Sequence, residues 1–184
     1  MAASALGLQG VELLSGADGK LPRVAAEQAL EGKTVAIYFS AHWCPPCRGF
    51  TPVLAHVYKK LQAQGKPFEV VFVTCDRNEA QFEEYFRSMP WLAVPFHDTA
   101  TRQRLSSHFS LGGIPRLVIV GPDGQVVSND ARAAVTADRE GANYPWTSAA
   151  GGGSGLAGLL SNPRGLLLLF ILFYWLSQWF TKKQ

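Results

Sequence analysis

Two cysteines, Cys44 and Cys47, stand two residues apart in Trp43-Cys44-Pro45-Pro46-Cys47. Just upstream, Thr34 to Ser40 is β-branched and aromatic with no polar alternation through its middle, the pattern of a strand buried on both faces. Just downstream, Phe50, Val53, Leu54, Val57, Tyr58 and Leu61 recur at helical spacing. The pair therefore sits where a strand ends and a helix begins, and one helical turn brings the two sulfurs within bonding distance. At a helix N-terminus, free backbone N–H groups and the positive dipole end stabilise a thiolate, which is the reactive form of the side chain. Cys44 is read as a nucleophile that attacks a disulfide in a partner, and Cys47 as the thiol that resolves the mixed disulfide. Pro45 and Pro46 stiffen the loop and remove backbone donors, and Trp43 is expected to cover the dithiol and contact partners. Half a zinc site is the alternative, but it needs a second ligand pair. His42 and Cys75 do not form one, so no metal is expected.

The flanking sequence must hold this junction in place. The helix is expected to stop at Gly65, with Lys59 and Lys60 in its last turns and a kink at Pro52. Phe68 to Thr74 reads as a second buried strand, followed by a helix capped by Asp76 with Glu79 three residues on. Phe82, Tyr85, Phe86 and Met89 form that helix's apolar face. Trp91 to Pro95 is read as a short strand and Thr101 to Phe109 as a short helix. Arg116 to Val120 and Gln125 to Ser128 flank Gly121-Pro122-Asp123-Gly124 and predict a hairpin. This order implies an α/β fold whose sheet starts parallel and ends antiparallel. Cys75 is expected to be a small core residue, His42 a surface histidine near the thiolate, and Trp91 and Trp146 packing residues.

With 184 residues and 47% apolar content, the chain has material for one domain and an appendage. A net charge of +3 without a long basic run argues against nucleic acid. Three cysteines are too few for a secreted disulfide scaffold. Residues 1–14 lack a basic n-region and contain Glu12, so no secretory signal is read there and the globular part is expected in the reducing cytosol. A domain is expected over residues 1–146, a Gly/Ser/Ala-rich linker over 147–164, and an apolar segment over 165–181. As a helix, the uncharged stretch from Gly165 to Phe180 is about 24 Å long, short against a bilayer core of about 30 Å. Tyr174, Trp175 and Trp179 suit an interface, and Arg164, Lys182 and Lys183 can snorkel. Its apolar residues occupy every face, which favours a transmembrane tail anchor over a docked or interfacial helix. The mitochondrial outer membrane is the expected location, with the endoplasmic reticulum as the alternative.

Ser40-Ala41-His42-Trp43-Cys44-Pro45-Pro46-Cys47-Arg48-Gly49-Phe50-Thr51-Pro52 resembles the tryparedoxin and nucleoredoxin branch of the thioredoxin superfamily. So do Met89-Pro90-Trp91-Leu92-Ala93-Val94-Pro95-Phe96, Gly113-Ile114-Pro115 and Tyr144-Pro145-Trp146, and the match runs in order from about Gly10 to Trp146. The resemblance implies a thioredoxin fold, a central mixed sheet flanked by helices. It also implies a cis Pro115 against the dithiol, an Ile114 backbone offered to substrate, and a substrate-binding Arg132. The implied activity is protein-disulfide reduction through the Cys44–Cys47 dithiol with no bound cofactor. Electrons would come from a low-molecular-weight thiol, trypanothione or glutathione, and pass to disulfide-containing proteins such as peroxiredoxins. A nucleoredoxin-like redox-regulated adaptor at a membrane is the alternative. Tryparedoxins tend to be acidic where this chain has Arg77 and Asn78. Tyr38 stands in the register where ordinary thioredoxins bury an aspartate, so proton transfer to Cys47 needs water or another group.

Overall fold

The computed structural model describes residues 2–16 and 21–147. The chain divides into two units, Met1–Ser148 and Ala149–Gln184, and the described residues all belong to the first. Apart from Thr147, the expected linker and apolar segment lie outside the described residues. Among the described residues no helix is long and apolar enough to cross a membrane.

The elements run α1 (Ala2–Ala5), β1 (Glu12–Ser15), β2 (Arg23–Ala25), α2 (Ala26–Leu30), β3 (Thr34–Ser40), α3 (Pro45–Ala63) and β4 (Phe68–Thr74). They continue with α4 (Glu79–Phe86), β5 (Leu92–Ala93), α5 (Thr99–His108), β6 (Arg116–Val120), β7 (Val126–Ser128) and α6 (Arg132–Ala137). One mixed sheet has the order β2-β1-β5-β4-β3-β6-β7. The β3–β4 and β4–β5 pairs are parallel, and the other four pairs are antiparallel. This is the mixed sheet flanked by helices that the family resemblance implies.

Every residue of β3 and β4 is buried, which explains their unbroken apolar runs: helices cover both faces of the central sheet. Side chains alternate, so Ala36, Tyr38, Val70 and Phe72 enter one core with Leu54, Val57 and Leu61 of α3. Val35, Ile37, Phe39, Val71 and Val73 enter the other with Leu30 and Leu105. Trp91 and Trp146 are fully buried in the first core, as their packing role requires. Trp146 packs edge-on to Phe68 and Tyr144, and its indole N–H donates to Asp138 at 3.0 Å.

Local chemistry sets the ends of α3. Cys44 is its N-cap and Pro45 and Pro46 open its first turn, where missing N–H groups cost nothing. At its other end Gly65 takes φ +66°. The Gly65 N–H donates to Gln62 O and the Lys66 N–H to Leu61 O, both at 3.0 Å, which closes a Schellman motif. Pro52 lies inside α3, which continues to Ala63 as one element.

The second helix cap differs from expectation. Asn78, not Asp76, caps α4, and its side chain accepts the Gln81 N–H at 3.0 Å. Asp76 is buried and used elsewhere: its carboxylate accepts the His42 N–H at 2.7 Å and the Thr74 hydroxyl at 2.8 Å. A carboxylate that cross-links two loops is not free to cap a helix two residues on. The sequence reading also omits β1, β2, α1, α2 and α6. β1 and β2 are short strands at one edge of the sheet, α1 and α2 are helices of four and five residues in contact with each other, and α6 is a turn and a half of helix against α3.

Candidate active site

The central strand β3 delivers the dithiol directly into α3. Cys44 and Cys47 form a disulfide with Cα atoms 5.2 Å apart. Cys44 is 5% exposed and Cys47 is fully buried, so an incoming partner meets Cys44 first. That asymmetry supports the assignment of Cys44 as attacking and Cys47 as resolving sulfur. The loop before them is pinned from three sides. The Cys44 N–H donates to Ala41 O at 3.2 Å, the His42 N–H to Asp76, and Arg48 Nη1 to His42 O at 2.6 Å.

The Ile114–Pro115 peptide is cis, and Cys44 Sγ lies 3.9 Å from the Ile114 carbonyl oxygen. Pro115 is buried, whereas Gly112 and Gly113 before Ile114 are exposed. The segment that the family resemblance assigns to substrate thus abuts Cys44. On the other side stands Trp43, 44% exposed, with its indole N–H donating to Cys75 O at 3.2 Å. The Arg77 guanidinium sits over the Trp43 ring, 5.3 Å from its centroid, in a cation–π contact.

Beyond Pro115, a cleft of about 580 Å³ is lined by Pro46, Phe50, Asp130 and Arg132 among others. A second hollow of about 400 Å³ runs from Gly112 past Ile114 to Arg132. Arg132 therefore lines both hollows beside the dithiol, but it is already engaged. Its Nη2 donates to Asp130 Oδ2 at 2.6 Å, and its Nε contacts both Asp130 oxygens at 2.9 Å. Partial burial opposes the charge on Asp130, yet hydrogen bonds from Arg132 hold its carboxyl below the ordinary range.

Four hydroxyl groups beneath Cys47 form a network that the sequence reading missed. Tyr38 OH lies 2.8 Å from Thr51 Oγ1 and accepts from Ser40 Oγ at 2.9 Å. Tyr85 OH contacts Ser40 Oγ at 3.1 Å and also bonds Thr51 Oγ1. Thr51 donates to the Cys47 carbonyl oxygen at 3.1 Å, and Tyr38 OH lies 3.4 Å from the same atom. Burial, with the neighbouring Tyr85, pushes the Tyr38 phenol well above its ordinary pKa, so it stays neutral. The signals were present: Tyr38 and Ser40 share one face of β3, and Thr51 follows Cys47 by four residues on one face of α3.

Cys75 is half-buried just past β4 and packs against the dithiol cluster. Burial raises its thiol pKa and the adjacent Asp76 adds to the shift. Among the described residues no group of His, Cys, Asp or Glu side chains is placed to hold a metal ion.

Comparison with known proteins agrees with this geometry. A family described as thioredoxin-like matches residues 32–126. Tryparedoxin of Trypanosoma brucei brucei is 49% identical over 119 residues, covering 64% of this chain and 82% of that protein. Mouse nucleoredoxin is 47% identical over 118 residues, but the chain spans only 27% of that protein's length. Among solved structures, tryparedoxin from Trypanosoma brucei superposes with a TM-score of 0.72 at 42% identity, covering 80% of this chain and 99% of that one. A tryparedoxin II complexed with glutathionylspermidine gives the same TM-score at 38% identity, covering 80% of this chain and all of its own.

The burial asymmetry of the cysteines has a direct chemical consequence. In the reduced chain, iodoacetamide near neutral pH should modify Cys44 first. A raised pKa means less thiolate at any given pH, so Cys75 should react appreciably only above the ordinary thiol range of about 8.5. Site-resolved mass spectrometry across a pH series checks this. Cys75 labelling at the rate of a free cysteine at about pH 8 would contradict the burial argument.

Proposed function

We infer that this chain, which belongs to the thioredoxin-like family, is a thiol–disulfide oxidoreductase that reduces protein disulfides through Cys44 and Cys47. The observation that carries the reading is a disulfide-paired cysteine at the N-cap of α3 that keeps 5% exposure, with a fully buried partner one turn on, set against a cis-proline segment. In the reduced enzyme the Cys44 thiolate attacks one sulfur of a substrate disulfide, and the other substrate sulfur leaves as a thiolate. Cys47 then loses its proton and attacks Cys44 Sγ. The second substrate thiolate leaves, and the Cys44–Cys47 disulfide forms. Ile114 and Pro115 seat the substrate backbone, Trp43, Pro45 and Pro46 form the contact rim, and Arg132 reaches toward the substrate from the far side of the cleft.

A low-molecular-weight thiol returns the enzyme to its dithiol state, and peroxiredoxins are among the acceptors we propose. A solved relative is complexed with glutathionylspermidine, which supports a small-thiol donor. Arg77 argues against a polyamine-linked one. It places a fixed cation beside the exposed Trp43, where a positively charged donor meets repulsion. A donor of the glutathione type, with net negative charge, suits this rim better.

A second role accompanies the first. The uncharged stretch at 165–180 with its basic flanks supports a membrane tether for the domain, at the mitochondrial outer membrane or the endoplasmic reticulum. A redox-regulated adaptor of the nucleoredoxin kind would use the same tether, and similarity to nucleoredoxin favours keeping that reading.

Replacing Cys44 by serine should abolish insulin reduction, whereas Cys47→Ser should accumulate mixed disulfides with substrate on non-reducing gels. Turnover that survives Cys44→Ser would end the mechanism, and a single partner released on oxidation would move the reading to the adaptor. With the full chain, glutathione should support turnover and trypanothione should hold no advantage. Arg77→Glu should shift the ratio of their kcat/KM values toward trypanothione by about 3- to 10-fold, and an unmoved ratio would remove Arg77 from donor choice. In cell fractionation the full chain should sediment with membranes and resist alkaline carbonate, and deletion of residues 165–184 should release it. Release of the intact chain by carbonate would exclude a spanning tail.

A further inference from the structure

The cleft beside the dithiol holds a cation that is already spoken for. Pro46 of the dithiol loop and Pro115 of the cis-proline segment line this cleft together with Asp130 and Arg132. The same two charged residues line the second hollow, which begins at Gly112 and passes Ile114. A substrate chain seated on Ile114 with its sulfur at Cys44 therefore carries its flanking residues past this pair. Among the residues lining the two hollows, the one other charged side chain is Arg116. Its guanidinium is spent on backbone, donating to Asn129 O and Ser110 O, both at 3.0 Å.

An unpaired arginine at this place would attract the carboxylates of an acidic substrate. Asp130 takes their position. Its two oxygens accept from Nε and Nη2 of Arg132, the fork in which a guanidinium receives a carboxylate. The Arg132 backbone N–H also donates to Asp130 Oδ1, at 3.2 Å. Backbone bonds on either side fix where this carboxylate stands: Asn129 O accepts from Arg116, and the Ala131 N–H donates to Leu117 O at 2.7 Å. Partial burial opposes the charge on Asp130, but the bonds from Arg132 outweigh it, and the carboxylate is ionised at neutral pH. The side chains of Arg132 and Asp130 are 40% and 36% exposed. An ion pair so open to solvent is weak, so it biases the choice of substrate without barring any.

We propose that Asp130 is a specificity-determining residue: it occupies the guanidinium face of Arg132 that a substrate carboxylate would take, and so turns the cleft away from disulfides flanked by acidic residues. The proposal rests on the reaction inferred above and adds which polypeptide disulfides it accepts. An acidic flank must displace Asp130 or lie beside it and be repelled. An uncharged flank meets neither cost, and the wall of Pro46, Phe50 and Ala133 suits it. Arg77 acts on charge from the Trp43 side and is common to every variant below, so its pull on anions cancels in the comparison.

The test uses two symmetrical peptide disulfides that differ only in Glu or Gln on either side of the cysteine. Pre-reduced full-length protein is mixed with each and quenched in acid, and the released peptide thiol is measured by chromatography to give a second-order rate constant. Asp130→Asn should raise the Glu-to-Gln ratio of these constants about 3- to 10-fold over the parent. The gain should fade as salt approaches about 1 M, where the Debye length is about 3 Å. Asp130→Asn combined with Arg132→Gln should return the ratio to within about twofold of the parent, because the cation that the carboxylate masked is then gone. A lowered ratio with Asp130→Asn would mean that the carboxylate aims Arg132 at substrate, and it would overturn the proposal. An unmoved ratio, or a gain that survives in the double variant, would do the same. All three leave the oxidoreductase intact. Absence of peptide thiol with the parent, or equal release by Cys44→Ser, would overturn the reaction and the proposal together.

Discussion

The structure depends on one junction: a fully buried strand that turns within four residues into a 19-residue helix. A thiolate just past β3 gains the N-terminal field of α3 only if the helix starts at that residue, as it does with Cys44 as N-cap. The two prolines meet that demand. They supply the right φ for a first helical turn and remove N–H groups that would have no partner. The same junction sets the inequality between the sulfurs. Position N-cap leaves Cys44 5% exposed, and one turn on the helix has carried Cys47 fully into the core.

The rest of the fold holds that junction still. β3 pairs over its full length with β4 on one side and over most of it with β6 on the other, so its tip cannot shift in register without exposing two apolar faces. β6 begins at Arg116, immediately after Pro115, so the strand that braces β3 also delivers the cis-proline segment to Cys44. Beyond β4, Asp76 reaches back to the His42 backbone, tying the loop before the dithiol to the neighbouring strand. The dithiol, Asp76 and the cis-proline segment thus sit at the ends of three neighbouring central strands, whose backbone ladders hold them in place.

Legibility from sequence followed burial. β3, β4, α3 and β6 lie at the centre, where two covered faces impose long apolar runs, and their boundaries could be read to within a residue or so. β1 and β2 are four and three residues long at an edge, too short for any periodicity to emerge. Asp76 misled for a physical reason: an acid three residues before Glu79 has the look of a cap, but a buried side chain answers to tertiary partners. The dithiol was legible because its spacing is local. The hydroxyl network was not, because Tyr38, Thr51 and Tyr85 lie on three different elements and look like ordinary members of their apolar faces.

That network bears on a choice any buried dithiol must make. A carboxylate behind the resolving thiol would be an efficient base, but burying its charge is costly and its pKa would rise with burial. Hydroxyls avoid that cost. Their bonds are mutually satisfied, and burial drives the Tyr38 phenol further from ionisation. Tyr38 in place of an acid therefore keeps the core behind the dithiol uncharged, its phenol hydrogen-bonded to Thr51 and Ser40 and well above its ordinary pKa.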